Sequence, residues 1–240
     1  MENLVNKQVL ILGGSTGLGL ATAKAAAAEG AIVTIVSKNP ERLAAAAQQL
    51  PPATKTVSVD LSSGTAIQTF FNTLGNIDHL VYTAGENLSL SVIKDMDLAD
   101  SRRYFDIRYW GAVAAVKYGA PHINAGGSVT LTGGIAAVKP TVSWSIGSSI
   151  CAAMEGFTRV MALELAPVRV NLVRPGLVRS NLWDSMDPAE KAQLFDNFAN
   201  ALPVQYVATP EDVAHTYLYL MKQSYSTGQC VTVDGGALMI

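Results

Sequence analysis

Short apolar runs alternate with longer, alanine-rich segments along almost the whole chain. The short runs, rich in Val, Ile and Leu, predict seven β-strands at 9–12, 32–36, 56–59, 79–82, 128–131, 169–173 and 230–233. In the longer segments apolar residues recur every three or four positions. They predict seven helices near 17–29, 41–49, 66–74, 100–122, 148–165, 188–200 and 210–221.

This alternation predicts an α/β fold: a doubly wound parallel sheet of Rossmann type, with helices on both faces and right-handed crossovers. The strand segments are apolar throughout, as expected for strands with both faces buried. Asn39-Pro40 and Thr209-Pro210 each place a capping side chain before a proline, which predicts two helix starts, and Asp212 extends the second toward a capping box. Because the chain has no linker, repeat or low-complexity tract, residues 1–240 are expected to form one domain.

A glycine-rich segment joins the first predicted strand to the first predicted helix. Glycine tolerates positive φ, its missing side chain lets backbone N–H groups approach a diphosphate, and the helix N-terminus adds partial positive charge. An ordinary turn is the alternative, but the position between first strand and first helix favours dinucleotide binding. The residues expected to hold the cofactor here are Gly13, Ser15, Thr16, Gly17, Leu18 and Gly19.

The end of the second strand bears on which dinucleotide is bound. Proteins that bind NAD usually place Asp or Glu there, whereas those that bind NADP supply a cation for the 2′-phosphate. This chain has Ser37 and Lys38 at that place and no acid. A solvated surface lysine is the alternative, but the missing carboxylate favours NADP(H).

Composition and charge narrow the classes of partner that the chain is expected to bind. The chain is 49% hydrophobic and 15% charged, with a net charge of -2 and a pI of about 5.9, so neither nucleic acid nor a membrane surface is an expected partner. No apolar run approaches a membrane span and the N-terminus lacks the pattern of a signal peptide. Two cysteines and no C-x-x-C motif favour a reducing, cytoplasmic setting. The three histidines lack metal-ligand spacing, so no metal site is expected.

The glycine spacing Gly-x-x-x-Gly-x-Gly resembles the short-chain dehydrogenase/reductase family, and the similarity extends over almost the whole chain. The resemblance implies further cofactor contacts at Asp60, Leu61, Ala84, Gly85, Pro175, Gly176, Val178 and Ser180. The segments that carry it are Asp60-Leu61, Tyr82-Thr83-Ala84-Gly85, Arg169-Val170-Asn171, Pro175-Gly176 and Val233-Asp234-Gly235-Gly236.

The same resemblance implies that the family's usual chemistry is absent. Family members reduce a carbonyl with Asn, Ser, Tyr and Lys, the Tyr hydroxyl supplying the proton. Flanking sequence places Arg108, Gly133, Gly147 and Cys151 at those four positions, and no tyrosine in the chain is followed four residues later by lysine. Gly147 has no proton to donate, and Cys151 carries no cation to lower the pKa of a donor.

A site without that acid still has a reaction open to it. Reduction of a ketone develops negative charge and needs a donor, whereas reduction of an iminium cancels a charge and needs none. Some fungal natural-product enzymes of the family lack the usual residues and act as imine reductases, some also guiding a cycloaddition. The segment from Arg108 to Gly111 is similar to theirs.

Four residues are the candidate catalytic replacements: Arg108, Thr132, Trp144 and Ser148. Each has a structural alternative. Arg108 supplies a rigid fork of donors for a carbonyl or carboxylate, or pairs with Asp106 or Glu155. Thr132 donates a hydroxyl or only ends a strand, and Trp144 stacks on a flat substrate or only packs a loop.

The remaining polar residues near the expected cleft are assigned to the fold. Glu86 and Asn87 are expected in a solvated loop, and Cys151 is expected to be a buried structural thiol. Residues 179–198 follow the sixth strand, where the family usually has a lid over the substrate; a surface helix pair is the alternative. The small residues of the helices at 100–122 and 148–165 suggest a homodimer or homotetramer, although they also suit packing within one chain.

We therefore expect an NADP(H)-dependent oxidoreductase with a non-standard active site, acting on a small-molecule substrate. The motivating features are a complete dinucleotide-binding segment and an altered set of catalytic positions. A non-redox cyclase or isomerase on the same scaffold, and a catalytically inactive dinucleotide-binding protein, are the alternatives.

Overall fold

The computed structural model describes residues 2–87 and 90–240, which form one seven-stranded parallel sheet. The strand order is β3-β2-β1-β4-β5-β6-β7, which confirms the predicted Rossmann-type α/β fold. The strands are β1 Gln8–Leu12, β2 Ile32–Ser37, β3 Lys55–Ser58, β4 Ile77–Tyr82, β5 Ile123–Thr132, β6 Arg169–Pro175 and β7 Cys230–Val233. Each matches a predicted strand, but β5 begins five residues before the predicted start at 128, and Ile77 pairs with Ile123 at its outer end.

The helices flank the sheet in chain order. They are α1 Gly17–Ala28, α2 Pro40–Ala47, α3 Gly64–Phe71, α4 Leu98–Phe105, α5 Gly111–Gly119, α6 Ser145–Glu164, α7 Pro188–Ala201 and α8 Pro210–Lys222. The two predicted starts are confirmed: the Asn39 side chain accepts from the Arg42 N–H at 2.8 Å, and Asp212 accepts from the Thr209 N–H at 2.7 Å. No helix in the described ranges has the length and apolar character needed to span a bilayer.

The helix predicted over 100–122 is confirmed as a helical segment, but it is not one uniform α-helix. α4 and α5 are separated by one turn of π-helix, Asp106–Trp110, called the wide turn below, and a 3₁₀ turn follows at Ala120–His122. Helical periodicity does not readily reveal such a turn. The apolar pattern within α4 and within α5 is that of an ordinary helix, and only the phase between the two differs.

Two buried apolar clusters cover the two faces of the sheet, and a third lies beside it. One cluster packs α3, α5 and α6 against β4 and β5, and the other packs α1 and α8 against β1 and β2. The third contains Trp183 and Phe195 from residues 181–201 and reaches Trp144. These clusters hold the carboxyl ends of β1, β4, β5 and β6 at one edge of the sheet, where such folds bind ligands.

Candidate functional site

The glycine-rich segment forms an open cradle between β1 and α1. Gly13 has φ +90°, and a β-carbon there would lie 2.5 Å from the Ala84 nitrogen, so only glycine fits. Gly17 has φ +52°, and the only atom near its missing β-carbon is the Ser180 β-carbon at 3.8 Å. The N-terminus of α1, at Gly17, and Ser180 thus border open space, a setting that fits a diphosphate.

An ion pair lies just after Ser37, at the carboxyl end of β2, where the adenosine half of a dinucleotide is expected. Lys38 was expected to be free for a phosphate, but its Nζ lies 2.7 Å from Asp60 Oδ2, and 74% of its side chain is exposed. The hydrogen bond with Asp60 raises the pKa of Lys38. Partial burial alone would raise the pKa of Asp60, but hydrogen bonds from Lys38 and Ser62 outweigh it and lower that pKa. The pair is fixed on the Asp60 side by the Ser62 hydroxyl, 2.6 Å from Oδ1.

Two of the expected cofactor contacts have side chains that pack inside the fold. The Leu61 side chain is buried in the core, so Leu61 has its backbone to offer a cofactor. The Val178 side chain is also buried, and its carbonyl accepts the Trp183 indole N–H at 3.0 Å. That carbonyl keeps a second lone pair, and the contacts of Leu61 and Val178 with a cofactor stay predictions.

A cavity of about 570 Å³ opens beside the cradle, at the carboxyl ends of β4, β5 and β6. Its floor includes Ala84, Gly134 and Gly176. Its walls are mostly apolar and come from α4, α6 and residues 177–198, with Ile146, Ile150, Leu182, Met186, Leu194 and Phe198 among them. The size and character suit a mainly apolar organic molecule. Arg108, Gly133, Gly147 and Cys151 all line this cavity.

Arg108 lies on the cavity floor without an acidic partner. Its guanidinium lies over Gly85, with Cζ 2.7 Å from the place of a missing β-carbon, and it donates to the Glu86 carbonyl. Its Nε is buried and unpaired. Desolvation lowers the pKa of Arg108. The alternative of an ion pair with Asp106 or Glu155 is wrong, because no carboxylate in residues 2–87 and 90–240 lies within 4.0 Å of it.

Glu155, the other expected partner of Arg108, belongs to a different cluster. It accepts from Arg174 at 2.7 Å and lies 3.7 Å from Arg159. Arg108 is therefore a cation whose hydrogen-bond partner is a backbone carbonyl rather than a carboxylate, and it lines a largely apolar cavity. Cys151 faces the same floor, with Sγ 3.3 Å from the missing β-carbon of Gly134. Burial raises the pKa of its thiol to about 11, so it stays protonated at neutral pH, as expected for a structural cysteine.

Thr132 lines the cavity, but its hydroxyl is already held by the protein. It donates to the Tyr82 carbonyl at 2.7 Å and lies 2.7 Å from the hydroxyl of the fully buried Tyr217. These two partners favour the structural alternative, and a catalytic role for Thr132 stays a prediction.

Two candidate residues, Trp144 and Ser148, lie at the start of α6, and only the first lines the cavity. Trp144 lines the cavity and contacts Trp183, with ring centroids 6.1 Å apart. Ser148, in the first turn of α6, is not among the residues that line it. α6 begins at Ser145 rather than at the predicted 148, which moves this part of the sequence into the helix.

Several polar cavity residues were missed by sequence reasoning, Tyr104 and Lys139 among them. Tyr104 lies one turn before Arg108 on α4, and its hydroxyl donates to the Asn87 carbonyl at 2.5 Å. The four-residue spacing to Arg108 was the available signal. Lys139 donates to the Ile240 carbonyl at 2.8 Å, a contact with no signal in sequence. Glu86 and Asn87 are exposed, and their carbonyls rather than their side chains face the site.

Comparison with known proteins agrees with this geometry. A family model described as enoyl-(acyl carrier protein) reductase matches residues 13–237. The chain belongs to the short-chain dehydrogenase/reductase family. It is 32% identical to the short-chain dehydrogenase/reductase ATR9 of Stachybotrys chlorohalonatus, over 100% of this chain and 100% of that protein.

Two solved structures of this family are similar over nearly the whole chain. One is a small-chain dehydrogenase in complex with NADPH, with a TM-score of 0.86 and 32% identity, covering 98% of this chain and 100% of that one. The other is the MalC reductase/Diels-Alderase from Malbranchea aurantiaca, with a TM-score of 0.90 and 27% identity, covering 99% and 97%. The resemblance to short-chain dehydrogenases/reductases inferred from the glycine spacing is thus confirmed.

Proposed function

We propose that the protein is an NADP(H)-dependent oxidoreductase that reduces an activated acceptor held by Arg108 in the cavity. The open glycine cradle supports dinucleotide binding, as do the family and the NADPH complex of a similar protein. Lys38 supports NADP(H): its exposed pair with Asp60 is worth little in water, so a 2′-phosphate dianion can compete for the cation.

The cofactor supplies hydride when it is bound. The chain's part is to hold the acceptor and to stabilise the charge that develops on it. By the register of the flanking sequence, Arg108, Gly133, Gly147 and Cys151 replace the Asn, Ser, Tyr and Lys of ordinary family members. A thiol with a pKa of about 11 and a missing side chain leave no group at Cys151 or Gly147 matched to protonating a ketone oxygen near neutral pH.

The single observation that carries the proposed substrate class is the Arg108 guanidinium, which lines the cavity and has no carboxylate within 4.0 Å in residues 2–87 and 90–240. A planar cation in an apolar cavity stabilises negative charge that spreads onto a carbonyl oxygen as the acceptor is reduced. It also repels a cationic iminium. A neutral C=C or C=N bond conjugated to a carbonyl therefore fits better than a charged imine, with Arg108 on the carbonyl oxygen and solvent supplying the proton.

This proposal is tested by following NADPH consumption with conjugated enones, carbonyl-conjugated imines and simple ketones. Consumption with the first two classes and little with the third is expected. Arg108→Met should lower kcat/KM by about 100-fold, the scale for loss of an oxyanion donor. Arg102→Met, which removes an exposed arginine from α4, just before the wide turn, is the matched control and should keep full activity. Background consumption with all three classes would refute the proposal.

A cyclisation in the same cavity is the second candidate. Its support is the similarity to MalC, which is described as a reductase/Diels-Alderase, together with the size and apolar walls of the cavity. It predicts a product isomeric with its substrate, formed without net consumption of NADPH.

We further propose that the protein assembles as a dimer or tetramer through α5 and α6. Apolar side chains stay exposed on this side, Leu163 to 81% and Val160 to 49% on α6 and Trp110 to 57% beside α5. Light scattering at micromolar protein should give a mass of at least two chains, and a monomeric mass would refute this.

A further inference from the structure

The wide turn between α4 and α5 leaves one backbone carbonyl without its usual partner. The Gly111 N–H donates to the Asp106 carbonyl five residues back, and not to the Ile107 carbonyl four back, as in an α-helix. The freed Ile107 carbonyl instead accepts from the Tyr82 hydroxyl, which reaches it from the end of β4. A side chain from the sheet thus takes the place of a helical hydrogen bond.

Tyr82 and Gly111 fit together in a way that leaves little freedom. Tyr82 is 2% exposed, and a β-carbon on Gly111 would collide with its hydroxyl and with the Leu61 carbonyl. Burial raises the pKa of Tyr82 far above neutrality, so the phenol remains a donor. Without that donor the Ile107 carbonyl would be buried and unpaired, which favours a return to α-helical bonding.

The consequence falls on Arg108, which lies in the middle of the wide turn. Each residue of an α-helix advances about 100° around the axis. A return of the wide turn to α-helical bonding would therefore rotate the side chains on one side of it by about that angle relative to those on the other. Arg108 now lies over Gly85 on the cavity floor, a placement that depends on the local helical path. We infer that Tyr82 is a positioning residue: its hydroxyl fixes the wide turn and thereby aims the Arg108 guanidinium into the substrate cavity.

This inference rests on the proposed role of Arg108 for its functional consequence, but its structural part is tested without substrate. Hydrogen exchange of the backbone amides over residues 107–112 is measured by mass spectrometry on the full-length protein. Tyr82→Phe keeps the ring and removes the hydroxyl, and exchange in this segment should rise about tenfold, the scale expected for one buried hydrogen bond left unmade.

Tyr217→Phe is the matched control, because it removes a hydroxyl from another fully buried tyrosine that contacts Thr132 and not the wide turn. It should leave exchange over 107–112 within about twofold of the native protein. Equal exchange in the native and Tyr82→Phe proteins, or an equal rise in both variants, would overturn the inference.

A coupling experiment then separates positioning from simple loss of stability. Arg108→Lys should lower kcat/KM for a conjugated enone at least about tenfold in the native background. In the Tyr82→Phe background it should cost less than about threefold, because the guanidinium is already misplaced. Full additivity would overturn positioning. If the native protein reduces no enone, the proposed function fails, and the exchange measurement still decides the role of Tyr82.

Discussion

The indole of Trp144 lies against Gly147, with Cε3 3.3 Å from the point where a β-carbon on Gly147 would stand. Gly147 is the residue that we propose replaces the family's tyrosine. The tryptophan fills the space beside Gly147, and it continues to Trp183 in the wall of the cavity. The wall beside Gly147 is therefore packed rather than open.

Restoring the usual residues should therefore fail while Trp144 is present. Gly147→Tyr combined with Cys151→Lys is expected to give no measurable NADPH-dependent reduction of a simple ketone, because the indole obstructs the new side chain and Arg108 repels the new cation. Adding Trp144→Ala should give detectable ketone reduction. Ketone reduction by the double variant equal to that of the triple variant would contradict this account.

Thr132→Val tests whether that residue supports the fold or the chemistry. The change leaves the Tyr82 carbonyl and the Tyr217 hydroxyl short of a partner, and should lower the free energy of unfolding by about 1–3 kcal/mol. The value of kcat/KM should change less than about threefold. Urea unfolding and steady-state kinetics on the same preparation measure the two effects. A large loss of activity at unchanged stability would show that Thr132 has a catalytic role.

The sequence predicted the strands and the cradle well because each depends on local features. Apolar runs specify buried parallel strands wherever they occur, and Gly13 and Gly17 adopt the positive φ values that their place in the turn requires. Alignment of the flanking sequence also placed Arg108 and Trp144 at one cavity, which the structure shows, although they are 36 positions apart in sequence.

The errors concern properties that local sequence does not contain. Which way a hydroxyl points depends on the partners that the fold brings to it, so sequence could not show that Tyr82 and Tyr217 hold the Thr132 hydroxyl beside the cavity. Ser148 was assigned as part of the segment before a helix, but α6 begins at Ser145 and Ser148 does not line the cavity. The wide turn depends on Tyr82, 25 residues before Ile107, and no helical pattern records such a contact.

Lys38→Ala tests the choice of cofactor. It should weaken NADPH binding about tenfold, the low end for a charge-assisted contact at an exposed site, and leave NADH binding within about twofold. Fluorescence titration of both cofactors gives the two dissociation constants. Lys55→Ala is the control. Lys55 is the first residue of the edge strand β3, at the end away from the cofactor site, and its loss should alter neither dissociation constant. An equal loss for both cofactors would show that Lys38 does not contact a 2′-phosphate.

His79 should make stability depend on pH. Burial lowers its pKa to about 4, from 6.5 in the unfolded chain, while its Nδ1 lies 2.9 Å from the Ser128 hydroxyl. Between these values the unfolded state binds more protons, so the native state loses stability as pH falls from about 6.5 toward 4, by about 3 kcal/mol in full. Urea unfolding at pH 7.5 and 4.5 measures the loss.

The His79 effect can be separated from acid effects elsewhere in the protein. His79→Gln removes the titration and should flatten the pH dependence, although its stability at neutral pH is lower. His215→Gln replaces an exposed histidine and should keep the native dependence. An unchanged slope in His79→Gln would mean that other groups cause the acid sensitivity.

The most direct test of the central claim uses NADPH deuterated at the transferable position of the nicotinamide, with a conjugated enone or carbonyl-conjugated imine as acceptor. Mass spectrometry of the product should show one deuterium in the native protein and in Arg102→Met, at a rate about 100-fold lower in Arg108→Met. A product without deuterium, isomeric with the substrate, or an unchanged rate in Arg108→Met would contradict reduction at a site organised by Arg108.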